Sequence, residues 1–185
     1  MTITLGRAIA LAAEANADEL DRKTGDAYML HVMRVTLAVT GEKERIVAAL
    51  HDVVEHVEGW TFDRLHKSGV AEDIVRAVDA LTRREGEDYL DFAKRAAANP
   101  LARPVKIADL TDNLTAVLKT SPAGEREGKA RKSRDAVGLI GVPETWPTVM
   151  FWSEPSNPKT CSSQITTAIT TTALRMLLIF ESIGM

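Results

Sequence analysis

Cysteine is almost missing from this chain, which contains one, Cys161, among its 185 residues. One thiol excludes an internal disulfide, and a chain without disulfides fits a reducing compartment. The opening segment, residues 1–6, also lacks the basic and then apolar build of a secretory signal. We therefore expect a cytoplasmic protein.

Long apolar runs and a strong net charge are missing too. The nearest candidate for a membrane span, residues 168–180, contains three consecutive threonines and Arg175, and it is shorter than the roughly 18 apolar residues that a span needs. We therefore expect no membrane partner. The formal net charge of −3 gives no electrostatic reason to expect nucleic acid, and no glycine motif of the Walker or dinucleotide-binding kind occurs.

The composition that is present is that of an ordinary globular protein, with 45% hydrophobic and 26% charged residues. A chain of 185 residues is long enough to bury one proper core and short for two domains. The sequence leaves the oligomeric state open, and a homo-oligomer is compatible with it.

Residues 5 to 118 carry apolar side chains at helical spacing, separated by short polar or glycine-containing turns. Thr61 follows such a turn and is predicted to cap a short helix. The pattern predicts an all-α fold. The predicted helices cover residues 5–20, 26–39, 42–57, 62–67, 71–82, 88–98 and 102–118.

The character of the chain changes after residue 120. Residues 125–134 are densely charged with both signs, which is typical of a solvated helix face or a hinge. Prolines at positions 143, 147, 155 and 158 then interrupt any helix, and residues 166–180 fit either a terminal helix or a β-prone segment. We predict a helical domain over residues 1–120 and an irregular C-terminal extension of unknown role over residues 121–185.

Two histidines and two aspartates on the predicted helices are candidate metal ligands: His31, His51, Asp52 and Asp109. The adjacent pair His51 and Asp52 is set into an apolar run, where burying it unpaired costs several kcal/mol, roughly, unless a metal or hydrogen bonds satisfy it. Imidazole and carboxylate ligands suit Mn²⁺, Fe²⁺ or Zn²⁺ and leave coordination sites open for water and phosphate. A satisfied core pair is the alternative interpretation.

Each predicted ligand helix carries a second polar group on the same face. Glu55 follows Asp52 by three residues, and Asn113 follows Asp109 by four. Matched spacing on apolar helices favours a site over a solvated face. Glu55 and Asn113 are therefore the candidates for catalytic residues.

Three segments together resemble a known family: residues 22–31 (RKTGDAYMLH), 48–55 (AALHDVVE) and 105–114 (VKIADLTDNL). In this order they are similar to the HD-domain metal-dependent phosphohydrolases, and within these to the small alarmone hydrolases related to the hydrolase half of RelA/SpoT proteins. The resemblance spans about residues 5–118. It implies an all-α HD-domain bundle that acts on a small-molecule nucleotide.

The resemblance also implies roles for single residues. The four candidate ligands hold one divalent ion, typically manganese, and Glu55 positions or activates the attacking water. Lys23, Tyr28 and Asn113 lie near the nucleotide. This chain departs from the family at two positions, with His56 where an aspartate is usual and Val32 where a proline is usual.

Further candidates for substrate binding have alternative interpretations. Lys106, one helical turn before Asp109, either contacts phosphate or a ligand residue, which we favour, or lies at the surface. Arg83 and Arg84 either hold the distal pyrophosphate or form a solvated turn. Tyr28 either stacks on a base or belongs to the core. His56 is expected beside the site or at the surface, with a second metal site as the alternative.

The resemblance therefore implies a metal-dependent phosphohydrolase, specifically a guanosine 3′,5′-bis(diphosphate) 3′-pyrophosphohydrolase. The same ligands serve an HD phosphohydrolase acting on another nucleotide or phosphate ester equally well. A third hypothesis is a non-catalytic sensor that binds metal and nucleotide, suggested by His56; the presence of Glu55 argues against it.

Overall fold

The structure, a computed structural model, describes residues 3–141 of the chain. This part is helical throughout, apart from turns and an isolated antiparallel bridge between Leu20 and Ala27. The helices are α1 (Leu5–Ala15), α2 (Met29–Ala38), α3 (Glu42–Leu50), α4 (Val53–His56), α5 (Phe62–Lys67), α6 (Glu72–Leu81), α7 (Tyr89–Ala98), α8 (Ala102–Thr120) and α9 (Ala123–Ile140). The predicted all-α bundle is confirmed.

Helices α3 and α8 lie at the centre of the bundle. Helix α3 packs against α1, α2, α6 and α8, and α8 also packs against α2, α7 and α9. Large side chains from several helices are fully buried between them, namely Leu50, Leu65, Ile74, Ile107 and Leu110. Because α8 carries Asp109 and α3 leads directly into His51 and Asp52, the centre of the core supports the candidate site.

Side-chain caps begin several helices where the sequence offers a suitable residue. The Thr61 hydroxyl accepts a hydrogen bond from the Arg64 amide at 3.2 Å, so the predicted cap of α5 is confirmed. Asp88 caps α7 by accepting from the Leu90 amide at 2.8 Å. These caps satisfy amide groups that the first helical turn leaves without partners.

The helix predicted over residues 42–57 is broken at His51 and Asp52, which lie in a turn between α3 and α4. Asp52 has φ −106° and ψ −6°, away from ideal helical values. The His51 ring binds the Ala48 carbonyl through Nδ1 at 2.7 Å, within the last turn of α3. The periodic apolar pattern continues across the break, which is why the sequence predicted one helix.

The connection between α1 and α2 is longer than predicted, because α1 ends at Ala15 and α2 begins at Met29. A tight turn forms here, with the Gly25 amide donating to the Asp21 carbonyl at 2.7 Å. Gly25 has φ +78°, a conformation that favours glycine. Asp21 also accepts from the Lys23 amide at 2.8 Å, so this turn fixes the backbone of a predicted substrate-binding residue.

The mixed-charge stretch at residues 125–134 lies within α9, which packs against α7 and α8. Its buried face is apolar and includes Ala130, Ala136, Val137 and Ile140. The boundary predicted between residues 120 and 121 stays a prediction. The expectations for residues 143–158 and 166–180 fall outside the described residues, and none of the helices within residues 3–141 is long and apolar enough to cross a membrane.

Candidate metal centre

The four predicted ligands meet at the centre of the bundle. His31 comes from α2, His51 and Asp52 from the break after α3, and Asp109 from α8. His31 Nε2 lies 3.7 Å from Asp52 Oδ2 and 3.6 Å from Asp109 Oδ1, and His51 Nε2 lies 2.9 Å from Asp52 Oδ2. Atoms of His31, His51 and Asp52 all lie within 4.8 Å of one another, as the ligands of one metal ion require, whereas Asp109 lies outside this group and contacts it through His31.

Both histidines present the same ring nitrogen to this cluster. His31 Nδ1 is 2.7 Å from Asp112 Oδ2, and His51 Nδ1 is 2.7 Å from the Ala48 carbonyl oxygen. Because a carbonyl and a carboxylate accept hydrogen bonds, each Nδ1 carries the proton. In the neutral imidazole Nε2 then offers its lone pair to the cluster, which is the arrangement that metal-binding histidines adopt.

His51 Nε2 supplies a test of whether a metal fits. This atom is buried and makes no hydrogen bond within residues 3–141, although a carboxylate oxygen of Asp52 lies 2.9 Å away. A buried polar atom without a partner costs about 1–3 kcal/mol. A divalent cation shared by two imidazole nitrogens and two carboxylates would satisfy it, so the residues fit the predicted ion.

The electrostatics of the cluster favour added positive charge. Burial opposes ionisation of Asp52, yet His51 and His31 hold the pKa of its carboxyl well below the usual value. Burial likewise opposes a charged His31, but Asp112 and Asp52 raise the pKa of the ring to about 9. The cluster therefore stabilises positive charge next to its carboxylates, and either protons or a metal ion can supply that charge.

Two neighbours hold the carboxylate ligands. The Tyr28 hydroxyl donates a hydrogen bond to Asp52 Oδ2, and burial together with the Asp52 charge raises the pKa of Tyr28. Lys106 is buried, donates to Asp109 Oδ2 at 2.9 Å and lies 4.4 Å from the centre of the Phe92 ring. For Lys106, the structure shows contact with Asp109, a predicted ligand, rather than a surface position.

Asn113 and Lys23 extend the cluster towards solvent. Asn113 Nδ2 donates to Asp109 Oδ1 at 2.5 Å, as the spacing of four residues on α8 predicts. The exposed Lys23 then donates from Nζ to Asn113 Oδ1 at 2.6 Å. The two predicted substrate contacts therefore lie next to each other and next to a ligand.

Glu55 is exposed on α4, and its Oε2 accepts a hydrogen bond from the Arg83 amide at 2.8 Å. The Arg83 guanidinium donates to the Glu87 carbonyl oxygen at 2.6 Å, within its own loop. Arg84 is 63% exposed, and its nearest carboxylate, that of Asp79, lies 3.8 Å away. Arg83 thus contacts a predicted catalytic residue through its backbone, while Arg84 stays at the surface.

His56 lies at the rim of the cluster. Its ring is 48% exposed, with Nε2 3.9 Å from Asp52 Oδ1, and it meets the Tyr28 ring edge-on at a centroid distance of 6.1 Å. The expected position beside the site agrees with these contacts.

Two site residues were missed from the sequence, Asp112 and Arg34. Asp112 contacts His31, and Arg34 binds Asp112 through Nε at 2.6 Å and Nη2 at 3.0 Å. Each lies one helical turn after a predicted ligand, Arg34 after His31 and Asp112 after Asp109. The same spacing that drew attention to Glu55 and Asn113 could have identified them.

A cavity of about 560 Å³ opens beside Lys23, between the α1–α2 connection and the junction of α8 with α9. It is lined by Arg22, Lys23, Val117, Thr120, Ser121, Pro122 and Gly128. Its volume falls within the range of small-molecule sites.

A solved structure described as that of a metazoan orthologue of SpoT that hydrolyses ppGpp and plays a role in starvation responses resembles this chain, with a TM-score of 0.64. The two are 22% identical, and the match covers 76% of this chain and 86% of that one. No family model and no curated protein matches the sequence. The likeness confirms the predicted HD-domain bundle and, at this identity, extends to the fold alone.

Proposed function

We propose that this protein is a metal-dependent phosphohydrolase that removes the 3′-pyrophosphate from guanosine 3′,5′-bis(diphosphate). The single observation that carries the proposal is the cluster itself, in which two imidazole Nε2 atoms and two buried carboxylates converge from three parts of the bundle. Such a donor set suits a catalytic divalent ion, and manganese is the ion we predict.

His31, His51, Asp52 and Asp109 would hold the ion, which when bound acidifies water and neutralises charge on a phosphoryl group. We assign to Glu55 the removal of the proton from the attacking water, because it follows Asp52 by three residues and its carboxylate is held by the Arg83 amide. Asn113 orients Asp109. Lys23, beside Asn113, offers an ammonium group to the phosphates.

The nucleotide preference rests on the cavity beside Lys23. Arg22 and Lys23 supply positive charge on one side, whereas Val117 and Thr120 supply apolar and hydroxyl surface on the other. A nucleoside with several phosphates needs this combination of an apolar platform and cations. The neighbour with the same fold is described as hydrolysing ppGpp, which supports this substrate as the first to try.

The test is a screen of the purified protein with manganese against nucleotides that include the alarmone, with the products identified. We expect release of pyrophosphate from the 3′ position with the 5′-phosphates left intact. Release of single phosphates, or equal activity on simple nucleotides, would favour an HD phosphohydrolase of another specificity. No turnover on any nucleotide with metal bound would favour a sensor. An Asp109→Asn protein prepared in parallel controls for contaminating phosphatases.

A further inference from the structure

Two charged residues outside the four-residue cluster, Asp112 and Arg34, are linked to His31 by hydrogen bonds on the side of the ring that faces away from the cluster. Asp112, on α8, places Oδ2 2.7 Å from His31 Nδ1. Arg34, on α2, binds both oxygens of the same carboxylate, from Nε to Oδ1 at 2.6 Å and from Nη2 to Oδ2 at 3.0 Å. The three side chains therefore form a continuous chain of hydrogen bonds, from the solvent-exposed guanidinium to the buried imidazole.

We propose that Asp112 and Arg34 are positioning residues that hold His31 in the orientation and tautomer required to bind the metal ion. This inference rests on the metal site of the proposed function and on no substrate. Carboxylates that accept the second N–H of a metal-binding histidine fix its ring and strengthen it as a ligand.

The surroundings of His31 show what Asp112 prevents. The ring is 3% exposed, and the carboxylates of Asp52 and Asp109 lie 3.7 and 3.6 Å from Nε2. Without an acceptor at Nδ1, the proton would move to Nε2, where these two carboxylates attract it. The lone pair would then point away from the cluster, and the ion would lose one of its two imidazole ligands.

Arg34 acts on Asp112 rather than on His31 itself. Asp112 is 13% exposed and Arg34 is 45% exposed, so the pair lies at the boundary between core and solvent. Two parallel hydrogen bonds from a guanidinium fix the plane of a carboxylate as well as its charge. Arg34 holds the Asp112 carboxylate in the plane that meets His31, and its removal leaves the carboxylate free to rotate.

A purely structural link between α2 and α8 would use the same contacts. The test must therefore separate the effect on folding stability from the effect on metal affinity. Mn²⁺ alone is titrated into the metal-free forms of the wild type, Asp112→Asn, Asp112→Glu and Arg34→Gln. Asp73→Asn is the matched control, because Asp73 forms an exposed ion pair with Lys43 at 2.6 Å between α3 and α6. Thermal unfolding of each metal-free protein measures the structural part of the effect.

We expect Asp112→Asn to weaken manganese binding by about 10- to 100-fold and Arg34→Gln by a few-fold, with Asp112→Glu between the wild type and Asp112→Asn. Asp73→Asn should leave the affinity unchanged. A second measurement uses the Zn²⁺-loaded proteins. The Nδ1 proton of His31 should give a low-field NMR signal in the wild type, shifted in Arg34→Gln and lost in Asp112→Asn.

A folded Asp112→Asn protein with wild-type manganese affinity and an unchanged His31 signal would overturn the inference and leave the proposed function intact. If Asp112→Asn does not fold, Arg34→Gln decides, and unchanged affinity with an unchanged signal has the same meaning. Failure of the wild type to bind any metal would overturn both the inference and the proposed function. A wild type that binds metal but hydrolyses no nucleotide overturns the proposed function alone.

Discussion

At the scale of single residues, Glu55 is set apart from the four ligands by its exposure and by the Arg83 amide that holds it. Glu55→Gln keeps the size of the side chain and its ability to accept that hydrogen bond, but removes the base. We expect turnover to fall by roughly 10²–10⁴-fold, with manganese and nucleotide binding retained. Steady-state kinetics and direct binding measurements on one preparation check this.

Glu58→Gln, an exposed change on the same short stretch, is the control and should leave turnover unchanged. Undiminished turnover in Glu55→Gln would remove this residue from the mechanism.

His51 and Asp109 test the ligand set. His51→Ala and Asp109→Ala should each abolish tight manganese binding, as metal analysis after gel filtration would show. The two should differ in stability, because Asp109→Ala leaves the buried Lys106 without its carboxylate. Loss of one partner from a buried ion pair costs about 3–5 kcal/mol, so this variant should melt at the lower temperature. Stoichiometric metal at wild-type affinity in either variant would contradict the site.

His31 predicts a pH dependence of the metal-free protein. Its pKa is raised to about 9 from an ordinary 6.5, so the folded state binds the proton more tightly than the unfolded chain does. The resulting stability is fully present below pH 6.5 and is lost as pH rises to 9, by roughly 3 kcal/mol from this group. Denaturant titrations in chelator at several pH values measure the loss.

The stabilisation that manganese provides should increase between pH 6.5 and 9, because the metal requires a neutral imidazole and its affinity therefore rises with pH. A metal-free stability that stays flat between pH 6.5 and 9 would show that His31 is not held as a cation.

Residue types and spacing, together with the family resemblance, pointed to the members of the cluster, because imidazoles and carboxylates on apolar helices need a reason to be buried. They were not enough to predict partners from other helices. Tyr28 fitted a base or the core from its spacing, yet its hydroxyl binds Asp52 across 24 residues of chain. Such contacts depend on how the helices pack against one another, which a local sequence pattern does not show.

At the scale of elements, the α6–α7 loop is pinned by Arg95. Its guanidinium binds the Glu87 carboxylate with two bonds of 2.7 Å and the carbonyl oxygens of Asp79 and Thr82 at 3.0 and 2.9 Å. Glu87 also accepts from the Arg84 amide at 3.0 Å, and the guanidinium of Arg95 lowers the pKa of Glu87 to about 2. The loop therefore presents the Arg83 amide to Glu55 from a fixed backbone.

Replacing Glu87 with Gln should loosen this loop, because charge-assisted bonds to Arg95 become neutral ones. Trypsin should then cut faster after the two exposed arginines, Arg83 and Arg84, and turnover should fall while manganese affinity stays the same. Digestion followed by mass spectrometry measures the rate at this site. Asp91→Asn, which removes an exposed pair with Lys94, is the control; equal cleavage in both variants would mean that Glu87 does not restrain the loop.

Element boundaries show where the sequence pattern stops being informative. Helices α5, α6 and α8 lie within two residues of the predicted ends, since caps, glycine and proline mark them. The break at Asp52 was not predicted, because the apolar period runs through it. Hydrogen bonds of the His51 and Asp52 side chains accompany the break there.

At the scale of the whole molecule, the all-α bundle was predictable because helical periodicity persists through most of the described chain. The packing of α9 was not, because residues 125–134 look solvated in isolation. The buried face of α9 combines the small residues Ala130 and Ala136 with Val137 and Ile140, and their role becomes apparent once its neighbours are known.

The contact between His31 and Asp112 joins residues 81 positions apart, and it has a kinetic consequence. Closing so long a loop is an entropic cost that the chain meets only after most of the bundle has assembled. Manganese should therefore bind after the folding barrier, leaving the refolding rate unchanged while it slows unfolding. Stopped-flow experiments with and without the metal would show this as a shift of the unfolding limb alone, and acceleration of refolding would mean that the ion organises the chain early.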